Sequence, residues 1–321
     1  MIDHIGRKRI YTTGCLFITV LPLTYLFFTG DLKRFYFFLI CVRVLHGIGL
    51  ALCFTSAFTY VADIIPEQRL NEGIAMFGVT GLTGMAIGPA VAEMIVRHYT
   101  FSEAFVFAST MGCLGLLLHI RLPESFSEKR AKPTESFFAV LFRRNPRHVA
   151  LLTFLLGIGF AASGSFVAPF AKERGLSFVS LYFISYCGAA ILTRLFGGQL
   201  ADRIGEERVI PRAFLVTGAG LLLLLFLKSN FIMFLSGFMS GCGHGFLFPS
   251  LSALAIRHEP MEIRGKITGV FTGSLDAGAF AGSVFLGYVG EWLGFRVLFA
   301  FAASALFMGF FFFRFGKFDQ R

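Results

Sequence analysis

The run FIMFLSGFMSGCGHGFLFPSLSALAI, residues 231–256, contains no Asp, Glu, Lys or Arg. At 1.5 Å per residue a helix of that length spans a hydrocarbon core about 30 Å thick. Ten predominantly apolar runs of about this length, most with an isolated charge or two, lie along the chain, at about 10–29, 35–62, 72–96, 102–120, 148–171, 177–199, 209–227, 231–256, 266–289 and 293–314. None alternates polar and apolar residues as a barrel strand does, so the spans read as helices and the fold class as an all-α polytopic membrane protein. Hydrophobic residues make up 55% of the 321 positions and charged residues only 15%, too few charges to cover a water-exposed surface of this size.

The connections between runs alternate in charge. Those near 3–9, 63–71, 121–147, 201–212, 257–266 and 314–321 hold about twenty of the 29 Lys and Arg, and the opposite set about seven. The positive-inside rule places the first set, with both termini, in the cytoplasm. It also accounts for the net charge of +10 without a nucleic-acid partner, for which no basic segment carries interleaved aromatics. All six cysteines fall inside apolar runs with no CxxC spacing, so no metal site or disulfide framework is expected. The polar segment 121–147 divides the chain into 1–120, with four spans, and 148–321, with six, as a linker between bundles does.

Self-comparison finds a repeat. Asp3, Ile5, Gly6 and Arg9 match Asp202, Ile204, Gly205 and Arg208 at an offset of 199. His46-Gly47 matches His244-Gly245 at 198, and Phe77, Gly84 and Gly88 match Phe271, Gly278 and Gly282 at 194. Matching elements cross the membrane in the same direction, which is a parallel repeat.

On these residues the whole chain resembles the major facilitator superfamily, whose members have two six-helix halves joined by a cytoplasmic loop. Its signature Gly-x-x-x-Asp-Arg-x-Gly-Arg-Lys is similar to Gly198, Asp202, Arg203 and Gly205, with a first copy from Asp3, His4, Gly6, Arg7 and Lys8. A second signature, Arg-x-x-Gln-Gly-x-Gly, looks like Arg43, His46, Gly47 and Gly49. A third, associated with antiporters, looks like Gly84, Gly88 and Pro89, with Ala92 and Glu93 where the pattern ends in a glycine pair. The resemblance implies the major facilitator fold, and ten of an expected twelve helices. The expectation is a gene product carrying two further helices upstream of Met1, the alternative being an inactive truncated fragment.

The same resemblance implies that Asp3, Gly6, Arg7, Gly198, Asp202, Arg203 and Gly205 form a cytoplasmic latch that breaks when the cavity opens inward. Helix-terminal acids and tight glycine turns suit that role. Gly84, Gly88 and Pro89 form a helix-packing motif of small residues. Arg43 lies inside its span, where an unpaired cation costs at least about 2.5 kcal/mol, with His46 one turn on. The family places these helices around a central cavity, so Arg43, His46, His244 and Asp276 are the candidate substrate and proton pathway. Packing contacts are the competing reading for each histidine and a structural hydrogen bond for Asp276. Arg194 is expected to reach the cytoplasmic headgroups or the Asp202 turn.

These readings imply a secondary transporter of a small solute working by alternating access, with protons as the coupling ion. Its expected form is a monomer in the lipid bilayer of a bacterial inner membrane. Efflux of a drug-like or metabolite molecule is favoured, and uptake of a small organic anion is the alternative. No nucleotide motif and no His or carboxylate cluster of a membrane enzyme is present, so neither cofactor nor catalytic activity is expected.

Overall fold

A peptide backbone inside hydrocarbon must bond to itself. The computed structural model describes residues 6–28, 32–125, 136–176, 178–257, 259–260 and 263–315, and among them it contains helices and no strand. The long helices are α1 (Arg7–Thr24), α2 (Tyr36–Ile64), α3 (Leu70–His98) and α4 (Phe101–His119). After a short α5 (Phe137–Phe142) come α6 (Arg144–Ala161), α7 (Val167–Glu173), α8 (Ser180–Ile204), α9 (Glu206–Leu223), α10 (Asn230–Ile256), α11 (Arg264–Leu293) and α12 (Phe295–Phe315). Nine spans among the described residues are long and apolar enough to cross a membrane, α6 and α7 together forming one, and α3 adds a helix of 29 residues. The ten sequence spans are therefore ten long helices, displaced at their ends by a few residues.

Two compact units divide the chain. One comprises Met1–Ile64, Ile87–Thr134 and Met261–Gly265, and the other Ile65–Ala86, Glu135–Pro260 and Lys266–Arg321. In the first, α1 packs along α2 and α4. In the second, α10 lies against both α8 and α9, and α9 also carries α12. Small residues set that packing: a Cβ added at Gly237, Gly241 or Gly245 would collide with Tyr182, Tyr186 or Thr193 of α8. Those three glycines recur every four residues, so one face of α10 meets α8 backbone to backbone. Gly278 and Gly282 of α11 do the same against Phe154 and Ile158 of α6.

Two local features go beyond the sequence reading. The segment 121–147 contains α5, capped where Ser136 Oγ accepts the Ala139 amide at 3.1 Å. The span expected over 148–171 is interrupted by one π-helical turn, Ala162–Phe166, between α6 and α7. Pro169 supplies the cause, since its ring crowds the carbonyl four residues back, at Ser165, and it offers no amide.

Candidate functional site

The two turns of the repeat are built alike. Gly6 caps α1 with φ 106° and ψ 154°, and Gly205 caps α9 with φ 86° and ψ 146°. Both lie in a region that L side chains rarely enter, which explains why each copy carries glycine there. Asp3 lies outside the described residues.

The two turns differ in the charges around them. In the first, Arg7 begins α1 and its Nε meets Asp63 Oδ2, near the end of α2, at 3.1 Å, with both side chains almost fully enclosed (2% and 1% exposed). The first turn of α1 has no acid of its own. Its amides are served instead by Glu124, whose carboxylate accepts Arg7 N–H at 2.9 Å and Lys8 N–H at 3.1 Å. Lys8 Nζ donates to the Ile120 carbonyl at 2.7 Å. The loop after α4 is thereby tied to the start of α1.

In the second copy an acid stands where Arg7 stood. Glu206 opens α9, and its Oε1 accepts from Arg257 Nη2 at 2.6 Å and Nε at 2.9 Å. Arg257 is the residue that follows α10, and its Nη2 also reaches Asp202 Oδ1 at 3.1 Å. The other Asp202 oxygen accepts the backbone amide of Glu72, in the first turn of α3, at 3.2 Å. Asp202 thus joins the ends of α8, α10 and α3. Arg257 is 26% exposed and Glu206 13%, so water reaches this pair as it does not reach Arg7–Asp63. Burial works to lower the Arg257 pKa, but Glu206 and Asp202 more than offset it and hold the guanidinium above its ordinary value. Arg203 is exposed beside the turn, and Gly198 lies one helical turn before Asp202 in α8.

The intramembrane candidates fall into two groups. In the first unit Arg43 is exposed on α2 with its guanidinium 5.4 Å from the Tyr25 ring centroid, and His46 is half-buried one turn on. In the second, His244 is buried among Phe160, Tyr186 and Phe248, at ring-centroid distances of 5.8, 5.7 and 6.1 Å. Asp276 is exposed on α11. Gly84 and Gly88 on α3 have open space where a Cβ would stand; the side chain of Pro89 lies outside the described residues.

Arg194 corrects an expectation. It reaches neither headgroups nor the Asp202 turn but is buried at 4% exposure, 5.3 Å over the Phe248 ring and against the backbone of Gly78. Its depth was legible, but its direction depended on Gly78 leaving room for a guanidinium and on an aromatic face to receive it. Sequence reasoning also missed Asp63, Glu124, Glu206 and Arg257, which look like ordinary loop charges until the helix ends converge. The Tyr182 hydroxyl donating to Ser163 Oγ at 3.0 Å, inside the π-helical turn, had no signal beyond Pro169.

No group of three or more His, Cys, Asp or Glu suited to a metal occurs among the described residues. The arrangement offers charged clusters at helix ends and isolated ionisable groups within spans.

Comparison with known proteins agrees with this architecture. The family model described as Major Facilitator Superfamily matches residues 1–193 and 149–320. An uncharacterised MFS-type transporter of Methanocaldococcus jannaschii is 25% identical over 315 residues, covering 94% of this chain and 79% of the relative. The multidrug resistance protein MdtG of Salmonella typhi is 26% identical over 320 residues, covering 95% and 77%. Among solved structures, the human organic anion transporter MFSD10 (TETRAN) superposes with a TM-score of 0.83 at 17% identity, over 97% of this chain and 78% of that one. The E. coli fucose:proton symporter FucP gives 0.72 at 15% identity, over 97% and 85%. A multi-pass membrane protein built of repeated, glycine-capped helix turns and matched along nearly its full length in this way is a secondary transporter and belongs to the Major Facilitator Superfamily.

Proposed function

We propose that the chain exports a small drug-like or metabolite molecule against its gradient by alternating access, with protons as the coupling ion. The observation that carries this reading is the water-accessible cluster of Asp202, Arg257, Glu206 and the Glu72 amide. It holds three helix ends together with bonds that solvent can replace. A latch must be breakable within a transport cycle, and parting an ion pair that water can solvate costs far less than stranding a charge in an enclosed one. In this reading the second turn, with Gly198, Arg203 and Gly205, is the moving latch. The first, with Gly6 and Arg7, is a fixed joint.

Arg43, His46, His244 and Asp276 are assigned to the substrate and proton pathway, because an ionisable side chain within a span is costly unless it works there. Histidine changes charge near neutral pH, which suits a proton-linked step. Gly84, Gly88 and Pro89 allow α3 to approach a neighbour closely. The segment 121–147 joins the two bundles, both termini lie in the cytoplasm, and the protein acts as a monomer in a bacterial inner membrane. Export is supported by the relative named a multidrug resistance protein.

The test is a transport assay in everted vesicles bearing the full chain. An imposed proton gradient should drive accumulation of a fluorescent lipophilic dye, and a protonophore should abolish it. A second reading, uptake of a small organic anion, is favoured by the exposed cation of Arg43 and by the organic anion transporter among the structural neighbours. It predicts proton-driven entry of a labelled carboxylate into right-side-out vesicles and no dye movement.

A further inference from the structure

Between α8, α9 and α10 an apolar groove of about 240 Å³ opens on the surface of the second unit. Leu200 and Ile204 of α8, Val216 of α9 and Phe246 of α10 line it. The charged residues lining it are Arg208 and Arg212, both exposed and one helical turn apart on α9. Among the described residues neither makes an ion pair, unlike Arg257 nearby, which is held by Glu206 and Asp202.

The position of the groove identifies its occupant. The basic connection read from the sequence spans 201–212 and the apolar run that follows begins near 209, so Arg208 and Arg212 of α9 stand at the edge of the membrane. Arg208 and Arg212 fall within the first two turns of α9, about 3 and 9 Å along the axis from its start. Val216 lies about 15 Å along, about 10 Å inside that edge. The groove therefore runs from headgroup depth toward mid-membrane, basic at one end and apolar along its length. A soluble anion would have no use for the apolar part, and a neutral lipid none for two unpartnered guanidinium groups. Arginine also binds phosphate through several N–H groups at once.

We propose that this groove is a binding site for an anionic phospholipid. The phosphate sits between Arg208 and Arg212, and one acyl chain lies along Leu200, Val216 and Phe246. The site stands beside the Asp202–Arg257 cluster on the same helix ends.

The experiment is native mass spectrometry of the full chain in detergent, equilibrated with equal amounts of phosphatidylglycerol and phosphatidylcholine. The wild type should retain one phosphatidylglycerol in preference to phosphatidylcholine. Arg208→Gln with Arg212→Gln should reduce that preference about 30-fold, because each surface cation contributes about a factor of five toward an anionic lipid. Val216→Trp, which fills the slot but keeps both arginines, should lower retention of phosphatidylglycerol. Arg314→Gln, removing an exposed arginine at the end of α12, should leave it unchanged. Unaltered preference in the double variant, an equal fall with Arg314→Gln, or full retention in Val216→Trp would each overturn the proposal.

Discussion

The turn that opens α1 and the turn that opens α9 share a backbone and invert their charges. Each is a glycine at positive φ, followed by a residue paired to a charge at the end of the next long helix: Arg7 with Asp63 of α2 in one, Glu206 with Arg257 just after α10 in the other. A helix N-terminus favours an acid. The second copy supplies one from its own helix, Glu206. The first copy places a cation there and has Glu124, from more than a hundred residues away, to serve its amides. One arrangement is local and wet, the other distant and enclosed, and the same helical geometry tolerates both. The difference separates a joint suited to opening from one suited to staying shut.

The largest effect expected from this contrast is on stability. Arg7→Ala or Asp63→Ala strands an enclosed charge and should cost about 3–5 kcal/mol. Glu206→Gln or Arg257→Gln, in a site that water reaches, should cost about 1–2 kcal/mol. Thermal unfolding in detergent measures both, and equal losses at the two turns would break the comparison.

A charge reversal sharpens it. Arg7→Glu with Asp63→Arg gives the first turn the polarity of the second, yet it should recover less than half of the single-variant loss, because the introduced carboxylate faces Glu124. Adding Glu124→Gln should restore more. Full recovery by the double variant alone would mean that Glu124 is not what allows the reversed polarity.

The glycines come next. Gly205→Ala should cost about 1–3 kcal/mol from backbone conformation alone, since space is open around it. Gly6→Ala should cost more, because the new Cβ would also stand 2.7 Å from Glu124 Oε2. Expression level and unfolding temperature read the order directly.

The smallest effect concerns pH. The Arg257 guanidinium is held above its ordinary, already strongly basic pKa, so its contribution to stability is fully present at neutral pH and is lost only as pH rises through that higher value. Arg257→Lys should therefore leave the neutral-range pH profile of transport unchanged while weakening the contact, since Lys lacks the planar fork that meets Glu206 and Asp202 together. A displaced profile would assign the titration to this cluster.

Much of this was legible in the sequence. Apolar length located ten helices, and the Asp-x-x-Gly repeat located both turns, because glycine at positive φ has few substitutes. The inverted pairs were not, for a physical reason. Self-comparison by identity sees Gly6 and Gly205 but passes over Arg7 and Glu206, or Asp63 and Arg257, where position is kept and charge is exchanged. Arg194 shows the other limit: a span gives depth along a helix, whereas the side chain's direction depends on what a neighbouring glycine leaves empty. The π-helical turn at Ala162–Phe166 had one sequence sign, Pro169, which is compatible with several local outcomes.

Two double-mutant cycles, one on Arg257 and Glu206 and one on Arg7 and Asp63, each read in unfolding and in proton-driven transport, test the central claim most directly. The account predicts a transport coupling of about tenfold, equal to about 1.4 kcal/mol, with little stability coupling for Arg257–Glu206, and the reverse for Arg7–Asp63. Strong stability coupling without a transport effect at Arg257–Glu206 would contradict it, because that turn would then be as fixed as the first.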